Sequence, residues 1–161
     1  MTQRIPMTPA GLEKLREELR HIKEVQRPQN VADIETALGH GDLRENAEYH
    51  AAKERQAELA ARMAYLESHI SLAQVIDPEQ TSSDKIAFGA TVTLLDTDSE
   101  EEIVYKLVGE DESDVKEGKI SISAPIARAM LGKEEGDDVS VNLPKGVHEY
   151  EIVKVEYKRI D

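Results

Sequence analysis

The sequence predicts a two-domain α+β protein. An antiparallel coiled-coil hairpin over residues 1–77 is followed by a linker at 78–84 and a small antiparallel-sheet domain with one short helix at 85–161. Three observations predict this. The first half carries helical periodicity, two glycines break that periodicity midway, and from residue 84 the pattern changes to short β-rich runs.

Thr8-Pro9 is a strong helix start, a hydroxyl at the N-cap followed by proline in the first helical position. Leu12, Leu15, Leu19 and Ile22 then recur at spacings of 3, 4 and 3, one apolar stripe. The stripe resumes as Val31, Ile34 and Leu38, out of phase with the first set. Pro28 lies in the gap, and its missing N–H predicts a bend or local opening there. Gly39 and Gly41 end the helix. In the second helix Ala52, Gln56, Leu59, Met63, Leu66, Ile70 and Ala73 keep a heptad seam, until Asp77-Pro78 and the polar run PEQTSSD close it.

The predicted helices, 8–38 and 45–75, each hold 31 residues, or about 45 Å. Equal length and a short connection predict that they fold back on each other, with GHGDLR at the far tip. On periodicity alone, a long hairpin is more often just a spacer or dimerisation element.

Beyond the linker, KIAFGATVTLLD, EEIVYKLVG, GKISIS, DDVSVNL and VHEYEIVKVEYK read as five strands. APIARAMLGK, between the third and fourth, reads as a short helix stopped by Gly132.

Composition narrows the function. One Phe, five Tyr and no Trp argue against an aromatic-lined ligand pocket, and the lack of cysteine excludes thiol chemistry and Cys-type zinc sites. No apolar run approaches the ~18 residues of a membrane span, so a cytoplasmic location and no membrane partner are expected. The net charge of −13 is concentrated after residue 77, which argues against strong binding to free nucleic acid.

The tip reads GHGDLRENAEYHAAKE over residues 39–54. Asp42 and Glu45 have the capping-box spacing, which gives them a structural role at the start of the second helix. A carboxylate that caps a helix still has an oxygen to offer a metal ion, so the two roles are compatible. A private metal site of His40, Asp42 and Glu45 would be a poor cage, because one imidazole and two carboxylates on a loop leave it incomplete.

Three stretches, MTPAGLEKLREEL, GDLRENAEYHAAKE and ISISAPIARAMLGKEEGDDVSV, together resemble the bacterial transcript-cleavage factors of the Gre family, in order and spacing over essentially the whole chain. The resemblance implies a hairpin that enters the secondary channel of RNA polymerase and a C-terminal domain similar in fold to FK506-binding proteins that docks outside it. It implies a factor, not itself an enzyme, that stimulates the polymerase's own cleavage of the 3′ end of backtracked nascent RNA. Asp42 and Glu45 would jointly hold a second Mg²⁺ shared with the polymerase and activate water, with no cofactor bound by the factor alone. Asn46, Tyr49, Lys53 and Arg55 are candidate contacts to the RNA end or the channel wall, with ordinary surface roles as the alternative. Localisation would be cytoplasmic, and nucleoid-associated through the polymerase.

Two positions depart from the family pattern: Arg44 at a variable tip position, and Ala124 where a serine cap is common before Pro125. The basic residues Arg16, Arg20, Lys23, Arg27 and Arg62 either form a modest patch for extruded RNA or pair with acids such as Glu24 and Glu58. Two other functions share this architecture. A channel-occupying inhibitor would slow elongation without cleavage, and a coiled-coil adaptor would not bind polymerase.

Overall fold

The computed structural model describes residues 3–42 and 44–161. The chain divides into two compact units, Glu13–Leu72 and the remainder, Met1–Leu12 with Ala73–Asp161. Among the described residues no helix is long and apolar enough to cross a membrane.

The hairpin unit takes α1 (Pro9–His21) from Glu13 onward, a π-helical turn (Ile22–Gln26), α2 (Arg27–Leu38) and α3 (Ala47–Ser71). The predicted opening before Pro28 takes the form of the π turn. There the Arg27 N–H donates to the Ile22 carbonyl, five residues back.

This wider turn resets the seam. The buried positions are Leu15, Ile22, Asn30 and Ala37, a spacing of 7, 8 and 7. Val31 and Leu38, expected in the stripe, are instead about half exposed, and Ile34 is partly buried. The buried seam of α3 is Ala52, Leu59 and Leu66. Met63 and Ile70 are half-buried, whereas Gln56 is exposed. Burial of a large aliphatic side chain contributes about 1.5–3 kcal/mol, and Leu15, Ile22, Leu59 and Leu66 are the large ones buried here among the described residues. The core of this unit is therefore thin.

The second unit differs from the predicted division in taking both flanks of the hairpin sequence. β1 (Ile5–Met7) and β2 (Ala73–Val75) form a parallel pair, Ile5 opposite Ala73 and Met7 opposite Val75. This pairing stops α3 at Ser71, short of the expected residue 75. Three-residue strands carry no periodic signal, and both were missed.

Thr8 caps α1 as expected: its Oγ1 accepts the Gly11 N–H at 3.1 Å. The cap is completed from a distance in sequence. Glu112 accepts the Thr8 backbone N–H at 3.0 Å and the Thr8 hydroxyl, and also takes the Gly109 N–H at 3.1 Å. A Cβ on Gly11 would lie 2.3 Å from the Glu112 carboxyl carbon, so glycine makes room for this carboxylate.

The main sheet comprises β3 (Thr91–Asp96), β4 (Glu102–Val108), β5 (Lys119–Ser121), β6 (Asp138–Leu143) and β7 (Gly146–Glu156) in the order β5-β4-β3-β7-β6. The sheet is mixed where an antiparallel one was expected, because β5 runs parallel to β4. α4 (Pro125–Met130) places Ala127 and Met130 in a core with Val92, Leu94, Leu107, Val139 and Ile152. Gly132 follows in the left-handed region (φ +83°), the expected helix stop.

Candidate functional site at the hairpin turn

α2 and α3 are joined by residues 39–46, and each helix arrives with unsatisfied backbone groups. One side chain answers both. Asn46 is the N-cap of α3, its Oδ1 accepting the Tyr49 N–H at 3.0 Å. Its Nδ2 donates to the Ala37 carbonyl in the last turn of α2 at 2.6 Å. Asn46 is buried, while Gly41, in the left-handed region (φ +100°), turns the chain between the two helices.

The capping-box expectation for Asp42 and Glu45 is thereby corrected. The cap falls on Asn46, one residue past Glu45, because it is the Asn46 Oδ1 that reaches the Tyr49 N–H in the first turn of α3. Asp42 instead accepts the Arg44 N–H at 2.9 Å, a local Asx turn. Both carboxylates are exposed. Glu45 makes no side-chain hydrogen bond or ion pair among the described residues. Leu43 of the tip motif lies outside those residues.

His40 joins neither acid. Its Nε2 lies 3.2 Å from Glu48 in the first turn of α3, so the His40, Asp42 and Glu45 set is not assembled. Among the described residues, the metal-capable grouping is Asp96, Asp98 and His148 on the sheet domain. There the Asp96 oxygens are already engaged by the N–H groups of Asp98 and Ser99 and by His148.

The other candidates do not share one surface. Tyr49 is half-buried with its ring edge-on to His50. Lys53 lies one turn further along the same face, donating to Gln56 at 2.8 Å. Arg55 is two residues on, about 200° around the helix, and pairs with Glu58 at 3.4 Å. Other cations are also paired: Arg20 with Glu17 and Glu24 along its own helix, and Lys23 with Glu67 and Arg62 with Glu18 between the two arms. Asn46, expected as a contact residue, is turned into the protein by both of its hydrogen bonds. Its cap role was readable from asparagine's N-cap preference. Its bond to Ala37 was not.

The model described as transcription elongation factor, N-terminal, matches residues 5–75, and that described as transcription elongation factor, GreA/GreB, C-term, matches residues 80–157. The chain belongs to the GreA/GreB family of transcription elongation factors. Transcription elongation factor GreA of Bartonella tribocorum is 56% identical over 155 residues, covering 96% of this chain and 99% of that protein. Its namesake from Hyphomonas neptunium is 53% identical over 156 residues, covering 97% and 99%. Among solved structures, GreA factor homolog 1 (Gfh1) of Thermus thermophilus aligns at 28% identity and a TM-score of 0.44, covering 96% of this chain and 99% of that one.

Proposed function

We propose that this elongation factor acts on RNA polymerase from within the secondary channel, stimulating the polymerase's own hydrolysis of the 3′ end of backtracked RNA. The observation that carries this reading is that the two tip carboxylates are exposed and released from helix capping by Asn46.

The donor set suits a shared Mg²⁺ better than a private one. Mg²⁺ keeps several waters and is commonly held by one or two carboxylates together with phosphate oxygens. Asp42 has an oxygen beyond the one held by Arg44, and Glu45 has both. Bound between the tip and the polymerase, the ion would neutralise charge on the scissile phosphodiester and acidify its water. Asp42 and Glu45 would hold it jointly, and one of them would take the proton of the attacking water. The factor supplies ligands and a base to a catalytic centre in its partner, so it is no enzyme by itself. It works where the polymerase works, in the cytoplasm. Strong binding to free nucleic acid is not expected of a chain with net charge −13.

The test is to add the purified chain to a stalled, backtracked complex and resolve the RNA on a gel. Short 3′ fragments and resumed elongation are expected. Slowed elongation without fragments would mark a channel-blocking inhibitor, and no polymerase binding would mark an adaptor.

A further inference from the structure

We infer that Asn46 is the positioning residue of the tip: its buried side-chain amide ties the end of α2 to the start of α3 and thereby sets where Asp42 and Glu45 stand. This role rests on the functional reading above and adds to it the group that holds the two acids in place.

The geometry admits few substitutes. The position needs an acceptor for the Tyr49 N–H (3.0 Å) and a donor for the Ala37 carbonyl (2.6 Å) on one short side chain. Asparagine provides both on one planar head. Aspartate provides only acceptors, and serine is too short to span both.

Ala37 is itself buried, so its carbonyl is anchored in the seam of the hairpin. Glu45 directly precedes Asn46, and its backbone direction is therefore set by the cap. Asp42 is held by its own turn with Arg44, inside a segment whose two ends the amide fixes. Among the described residues of the turn itself, His40 and Glu48 also pair across it, but they are exposed side chains, and such pairs contribute little. The amide is the buried tie at the turn, nearest to the two acids.

Asn46→Asp and Asn46→Ser separate the two bonds, since Asp and Ser cap helices about as well as Asn but neither restores the donor to Ala37. In the full chain, both variants should keep protection of the Tyr49 amide against hydrogen exchange, while the amides of His40, Gly41, Asp42, Arg44 and Glu45 exchange about tenfold faster. Both should bind polymerase like the wild type, yet require about tenfold more Mg²⁺ for half-maximal cleavage. Serine adds no charge, so agreement between the two variants removes charge as the cause. Unchanged tip exchange, unchanged Mg²⁺ dependence, or a cleavage loss that merely follows weakened polymerase binding would overturn the positioning role. A wild-type chain that stimulates no cleavage would overturn the functional reading first, and is distinguishable because it fails before any substitution is made.

Discussion

The Nδ2 of Asn30 donates to the backbone carbonyl of Ala52 at 2.9 Å, joining α2 to α3 by a polar contact inside the buried seam. Asn30 stands at a seam position after the π turn, where a polar side chain trades stability for register. Asn30→Ala should lower stability by about 1–2 kcal/mol through the lost hydrogen bond and packing. Asn30→Leu should melt at or above the wild-type temperature while loosening register, read as extra species in light scattering. Wild-type stability in the alanine variant would refute the first expectation.

Gly11→Ala sets two effects against each other. Helix propensity favours alanine by about 1 kcal/mol. The new methyl would displace the Glu112 carboxylate, which holds the Thr8 N–H and hydroxyl and the Gly109 N–H. Loss of such a cap costs up to about 2 kcal/mol, so a net loss is expected. Glu112→Gln, which keeps the shape but weakens the charge-assisted bonds, should lose less. A Gly11→Ala chain that melts above the wild type would show that Glu112 moves aside freely.

Asp42→Asn and Glu45→Gln address the chemistry of the tip. Neither touches the helix cap, and Asn at 42 still accepts the Arg44 N–H. Both variants should fold and bind polymerase normally, and lose about 10–100-fold of stimulated cleavage, partly regained at higher Mg²⁺. Near-normal cleavage in both would leave Asp42 as a turn former and nothing more.

The Asp96 and His148 pair makes stability pH-dependent. Their hydrogen bond, Oδ2 to Nε2 at 2.6 Å, is the main cause holding His148 above its ordinary value of 6.5 and Asp96 below its ordinary 3.8. The histidine's contribution is complete below pH 6.5 and is lost as pH rises through the raised folded value. The aspartate's is present above 3.8 and is lost as pH falls through the depressed one. The melting-temperature gap between wild type and His148→Gln should therefore be widest between those ordinary values and narrow as pH rises further. A gap independent of pH would mean that packing of His148 on Tyr150, rings 5.0 Å apart, outweighs the charge.

The hairpin and its turn were legible because heptad spacing, proline and glycine are strong local signals: Thr8 caps α1, Pro28 marks the opened turn, and Gly132 ends α4. What stayed hidden depends on partners far apart in sequence. Glu112 completes the cap of Thr8 across 104 positions, and β1 finds β2 only after the hairpin has returned. At the tip, the spacing of Asp42 and Glu45 imitated a capping box, while Asn46 formed the cap and bridged back to Ala37. Seven residues on from Ile22 lies Gln29, and the extra residue of the π turn moves the buried position to Asn30, leaving Val31 exposed; heptad counting from either side of Pro28 does not reveal this phase change.

That phase change has a consequence for chain length. The interval from Ile22 to Asn30 is eight residues, whereas Leu15 to Ile22, Asn30 to Ala37 and both intervals of the α3 seam (Ala52, Leu59, Leu66) are seven, and the π turn takes up the surplus. The arm is thus spliced around one supernumerary residue. Excising a single exposed position between Ile22 and Asn30, such as Lys23, would bring Ile22 and Asn30 to an ordinary seven-residue interval and leave every later seam partner in place. Removing one residue from α3 instead would throw Leu59 and Leu66 out of mesh. Where an insertion or deletion falls, more than its size, decides whether the hairpin stays in register.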